Sequence, residues 1–159
     1  MLALHSPTVE QAVELSRRYG VKTAGHCALA DELGGIVGIE FTQAGVGVLK
    51  PKAGLYVHAN AVRAVKRALP SEHSETFTRS NSLQREKRLL ELLKPNTGRL
   101  TAPLAFQALA DHDGYPVSLC RHQSIDAQTT AVVVVEPARG LPHACGGQPC
   151  CNWPKTYLL

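Results

Sequence analysis

The chain is short of aromatic residues: Phe, Trp and Tyr make up only 5% of its 159 positions. Aliphatic side chains therefore have to fill most of any core. No apolar run approaches the roughly 18 residues that a membrane span needs. The longest, Ala131 to Val135, is the size of a single β-branched strand. A block of like charge is also missing. The net charge of +4 is dispersed, and short clusters such as Arg85, Lys87 and Arg88 fit a solvated helix face better than a basic stripe for nucleic acid. Residues 1–7 contain no basic region followed by an apolar stretch, so no secretory signal is read there. Five cysteines are an odd number for a disulfide framework. These absences lead to the expectation of a reduced, cytoplasmic protein with no membrane or nucleic-acid partner.

What is present is ordinary for a globular chain: 44% hydrophobic and 19% charged residues. The length suits a single domain over residues 1–159. Ser6-Pro7 offers a hydroxyl cap and a proline for a first helix, with Val9, Ala12 and Val13 on its apolar face and Gly20 to stop it. Short strands are expected over 23–30, 36–41, 46–49 and 55–58. The turns between them, around Asp31–Gly35, Gln43–Gly45 and Pro51–Gly54, are too tight for crossover helices, so the sheet should be antiparallel. Residues 59–69 read as partly helical and the polar stretch 70–80 as a surface loop. Leu83, Leu89, Leu90 and Leu93 define a helix over 82–93, and Thr101 caps another running to Leu109. Strands are expected again over 117–120, 130–136 and 141–144. The class is α+β, with helices covering antiparallel sheet.

Gly34-Gly35 and Gly45-Val46-Gly47 lie in hairpin turns and open no helix, which excludes a phosphate cradle. No cofactor is expected. A small zinc site built from His143, Cys145, Cys150 and Cys151 is an alternative, since thiolate and imidazole are zinc ligands. The neighbouring Cys150 and Cys151 make a poor chelating pair, however, because adjacent side chains of an extended chain diverge. Cys120 with His112 or His122 suggests a thiolate pair, against a buried, inert Cys120 on an apolar strand.

The stretch Asp111-His112-Asp113-Gly114-Tyr115-Pro116-Val117-Ser118-Leu119-Cys120-Arg121-His122 resembles the C-terminal motif of the isopenicillin N acyltransferase-like (penicillin acyltransferase) family of Ntn hydrolases. Further segments follow in that family's order. His58-Ala59-Asn60 is similar to its His-Thr-Asn segment, and Ser80 to Arg85, running into Arg88-Leu89-Leu90, to its Ser-x-x-Arg helix opening. Thr129 to Pro137 and Gly146 to Cys150 are similar to its closing strands and Gly-x-Pro-Cys end. The resemblance implies an Ntn-hydrolase-like αββα sandwich, here incomplete, and a cysteine amidohydrolase or acyltransferase matured by autoproteolysis, acting on a small-molecule amide or acyl substrate. It implies Asn60 as an oxyanion donor, Arg85 beside the nucleophile and Arg121 as a third site residue, with His58 and Ser118 as supports. The family's nucleophilic Cys lies N-terminal of the matched segments. The chain is therefore expected to be a C-terminal portion whose Cys comes from a missing N-terminal part or an upstream chain. A non-catalytic remnant or interaction module is the competing expectation.

Overall fold

The computed structural model describes residues 6–20, 24–42, 45–64, 72–123 and 127–158, with the backbone alone over 72–79. It is α+β, helices with two small antiparallel sheets, and divides into two compact units, Met1–Ser82 and Leu83–Leu159.

In the first unit, helix α1 (Val9–Tyr19) is capped by Thr8, whose hydroxyl accepts from the Gln11 N–H at 3.4 Å. The cap stands two residues beyond Ser6, the position expected. The shift has a local cause: the Asp31 carboxylate accepts the Val9 N–H at 3.1 Å, so a second unpaired donor of the first turn is satisfied there. Gly20 ends the helix at φ 63° and Arg17 and Arg18 face the negative end of its dipole. Strands β1 (Gly25–Ala30), β2 (Ile36–Thr42) and β3 (Gly45–Leu49) form an antiparallel meander in that order. Asp31 builds the first turn by accepting the N–H groups of Leu33 and Gly35 at 3.1 and 2.7 Å. Of the second expected turn, Gln43 and Ala44 lie outside the described residues.

The core of this unit is Val9, Val37, Ile39 and Phe41, with Val13, Leu29, Val46 and Val48 packed against it. It is aliphatic except for Phe41, as the composition requires. The strand expected over 55–58 does not form. Lys52 and Leu55 exchange backbone hydrogen bonds at 2.8 and 3.0 Å across a turn in which Ala53 and Gly54 both have positive φ, and the pairing stops at that bridge. The segment beyond it spends its side chains on β2 instead. Tyr56 covers Gly38, where an added Cβ would stand 1.9 Å from the tyrosine oxygen. Residues 59–64 are not helical, and 65–69 lie outside the described residues.

Helix α2 (Glu72–Leu93) contains the division between the units. It begins ten residues before the expected helix at 82 and replaces most of the loop expected over 70–80. Polarity had suggested a loop, yet no Gly or Pro interrupts 72–93, and nothing in the covalent chain breaks the helix. In the second unit, α3 (Ala102–Leu109) is capped by Thr101, with Ala102, Phe106 and Ala108 buried. No strand forms over 117–120. The Tyr115 and Val117 N–H groups close consecutive turns onto His112 and Gly114, so the backbone is used locally. Strands β4 (Ala131–Glu136), β5 (Leu141–Gly146) and the unanticipated β6 (Lys155–Thr156) form the second sheet. Alternate β4 residues Val133 and Val135 are exposed.

Candidate functional site

In the first unit β1 and β2 place His26 directly opposite Glu40. Tyr56 and His58, two residues apart on the segment after β3, reach the same place. The His26 Nε2 and the Tyr56 hydroxyl are 2.7 Å apart, and the His26 and His58 rings stack at 3.6 Å, nearly parallel. His58 Nε2 meets a Glu40 carboxylate oxygen at 2.8 Å. Glu40 is 1% exposed. Its carboxylate also accepts the Arg63 N–H, at 2.9 Å to each oxygen, and the Ala64 N–H at 2.6 Å. Burial alone would raise its pKa, but the N–H of Ala64, His58 and the N–H of Arg63 outweigh that and hold it low. Burial, joined by the neighbouring His58, lowers His26 to about 4. Burial raises Tyr56 to about 12.

These shifts set a pH dependence. His26 is depressed on folding, so between about 6.5 and 4 the unfolded chain holds more protons and stability falls as pH falls. Below the ordinary Glu value of 4.5 the Glu40 contribution begins to go too, because its folded pKa lies lower still. Urea midpoints should therefore decline from pH 7 to pH 4, and His26→Gln should flatten the slope over that interval. An unchanged slope would show that the His26 environment does not disfavour its proton.

Asn60 follows this cluster, exposed, with its backbone N–H 3.3 Å from the Ser82 hydroxyl. Nothing in the sequence singled out His26, Glu40 or Tyr56. The available signal was Glu40 itself, an acid between Ile39 and Phe41 on an otherwise apolar strand.

In the second unit Arg85, on α2, is half-buried and lines a shallow cavity of about 170 Å³ with Arg88, Glu91, Asp113 and Gly114. Its pKa is lowered first by burial and then by the charge of Arg121, so these two expected site residues are brought together. Arg121 is held by its backbone: its N–H donates to the Thr129 hydroxyl and its carbonyl accepts the Thr129 N–H, both at 2.9 Å. Ser118 donates to the Cys120 carbonyl at 2.5 Å. Arg88 grips Asp111 through two parallel bonds of 2.9 and 2.6 Å, the bidentate geometry that suits a guanidinium and a carboxylate. Two neighbouring guanidiniums present a field that favours a thiolate or a carboxylate.

The zinc set His143, Cys145, Cys150 and Cys151 is not assembled. His143 spends both ring nitrogens, on Thr156 and Glu136, each at 2.8 Å. Cys145 is buried and turned to the Asn152 carbonyl, and Cys151 to the Gln148 carbonyl. Cys150 lies instead with His112, Cys120 and His122, all four potential ligand atoms within 4.8 Å of one another.

Helices with two small antiparallel sheets among the described residues make this an α+β protein. The sequence matches the family described as acyl-coenzyme A:6-aminopenicillanic acid acyl-transferase over residues 1–149, and the chain belongs to that family. This membership bears out the resemblance read from the motifs and brings acyl-transfer chemistry of that broad type. No curated protein matches the chain. Among the described residues, no helix is long and apolar enough to cross a membrane.

Proposed function

We propose that residues 1–159 belong to one Ntn-hydrolase-like αββα domain of a cysteine amidohydrolase or acyltransferase acting on a linear amide or acyl thioester. A cysteine thiolate attacks the carbonyl, the C–N or C–S bond of the substrate breaks to release a protonated amine or a thiol, and water or an acceptor amine then takes the acyl group from sulfur and restores the free thiol. Asn60 donates its side-chain amide to the developing oxyanion. Arg85 and Arg121 favour the thiolate or hold a substrate carboxylate. The observation that carries this reading is the family match over residues 1–149.

We further infer that the nucleophile is none of the five cysteines. An Ntn cysteine needs a free α-amino group as its base, so the chain must be cut immediately before it. Cys27 pairs with Ile39 in the middle of β1, and a cut there would detach α1 from the strands it packs on. Cys120 and Cys145 are fully buried. A cut before Cys150 or Cys151 would leave a mature piece of only a few residues. The attacking group is therefore supplied from outside these 159 residues.

The test is turnover of an acyl anilide and an acyl thioester by the 159-residue chain, alone and joined to the in-frame sequence encoded upstream. The chain alone should be inactive and the longer product active. In the longer product Asn60→Ala should lower kcat by about 100-fold or more, the usual cost of one oxyanion donor. Turnover by the chain alone that disappears in Cys27→Ser would overturn the assignment. Inactivity of both forms would favour a non-catalytic binding module.

A further inference from the structure

The strongest grouping of chemical side chains outside the proposed catalytic residues is the His112, Cys120, His122 and Cys150 cluster of the second unit. The distances within it are specific. The Nε2 atoms of His112 and His122 are 3.0 Å apart, His122 Nε2 and the Cys150 sulfur 3.2 Å, and the Cys120 and Cys150 sulfurs 3.6 Å. A tetrahedral ion with metal–sulfur bonds of about 2.3 Å and metal–nitrogen bonds of about 2.05 Å has edges of roughly 3.8 Å between sulfurs and 3.3 Å between nitrogens. The nitrogen–nitrogen edge of 3.0 Å and the sulfur–sulfur edge of 3.6 Å match those within a few tenths of an ångström, and every other pair of the four atoms lies within 4.8 Å.

Hydrogen bonding explains the arrangement less well. His122 Nε2 carries either one proton or one lone pair, so it serves a single partner. Here both His112 Nε2 and the Cys150 sulfur converge on it, while the Cys150 sulfur also meets Cys120. A cation at the centre satisfies all four atoms at once.

We propose that His112, Cys120, His122 and Cys150 form a four-coordinate site for a zinc-class divalent ion, bound through two imidazole Nε2 atoms and two thiolates. Thiolate and imidazole donors at tetrahedral spacing select zinc over hard cations such as magnesium or calcium. Four protein ligands leave no open position, so the ion's role is structural rather than catalytic. It fastens the turns after α3 to the turn that follows β5. The backbone is prepared for this, since the Cys120 N–H donates to the Asp111 carbonyl at 2.9 Å and Arg88 holds the Asp111 side chain. That closure sets His112 near Cys120 and His122 before any metal arrives. Binding at neutral pH releases the two thiol protons to solvent, with no change of oxidation state.

The full chain, purified under reducing conditions with zinc in the medium, should contain one zinc per molecule by elemental analysis. Cobalt substitution should give the intense visible bands of a tetrahedral thiolate site. Cys150→Ser and His112→Gln, both at exposed positions, should each weaken zinc retention against a chromophoric chelator by at least tenfold. Cys151→Ser and His143→Gln should leave it unchanged. Absence of stoichiometric zinc would overturn the site, as would retention indifferent to Cys150→Ser and His112→Gln. A Cys120–Cys150 disulfide found by mass spectrometry in freshly reduced, zinc-supplemented protein would overturn it as well.

Discussion

Glu40→Ala should lower the stability of the first unit by about 3–4 kcal/mol. The carboxylate is 1% exposed and is the acceptor for His58 and for the Arg63 and Ala64 N–H groups. Truncation removes the acceptor from the His58 ring, whose side chain is 3% exposed, and from two backbone N–H groups, and a buried donor that loses its acceptor costs about 1–3 kcal/mol by itself. Glu40→Gln keeps the volume and one acceptor oxygen but presents an NH2 to groups that also donate, so it should fall between wild type and Glu40→Ala. Chemical denaturation followed by circular dichroism measures the loss. A cost below about 1 kcal/mol would mean that water replaces the carboxylate and that the cluster does not hold the segment after β3 in place.

Ile39→Ala should cost about 3 kcal/mol, the middle of the range for removing a large buried aliphatic side chain. Ile39 is fully buried in a core of four residues, Val9, Val37, Ile39 and Phe41. A core that small has few neighbours able to move into the space. Ile39→Val should cost about 1 kcal/mol, and Val133→Ala, on the exposed side of β4, less than about 0.5 kcal/mol. Equal losses at positions 39 and 133 would show that packing in the first unit is not what the burial of Ile39 indicates.

What the sequence made legible was local. Asp31 to Gly35 announced a hairpin because an Asp side chain and two glycines make one without help from the rest of the chain. Thr101 announced a helix start and the leucines of 82–93 a helix, while the run 131–136 could hardly be other than a strand. The errors arose where polarity stood in for conformation, as over 70–80, or where a short apolar stretch found its partners elsewhere, as over 55–58 and 117–120. Of the site residues, Arg85 and Arg121 were reached through the family's motifs, and the structure brings them together. The His26, Glu40, Tyr56 and His58 cluster was hidden because its members come from three segments whose meeting depends on strand register. The same limit applied to the cysteines. His112, Cys120 and His122 were visible as neighbours and Cys150 as part of a tail, but no spacing rule joins one to the other.

The close approach at Gly38 ties the history of two positions together. With the Tyr56 ring lying where a β-carbon at 38 would go, the strand residue cannot gain even a methyl group while the ring remains. Nor can it be relieved by a small shift, because the ring is also fixed through His26. Substitution at 38 becomes admissible only after position 56 has lost its aromatic side chain, and the reverse order passes through a clash. Among relatives of this chain the two positions should therefore change as a pair, with glycine at the first wherever the second is aromatic.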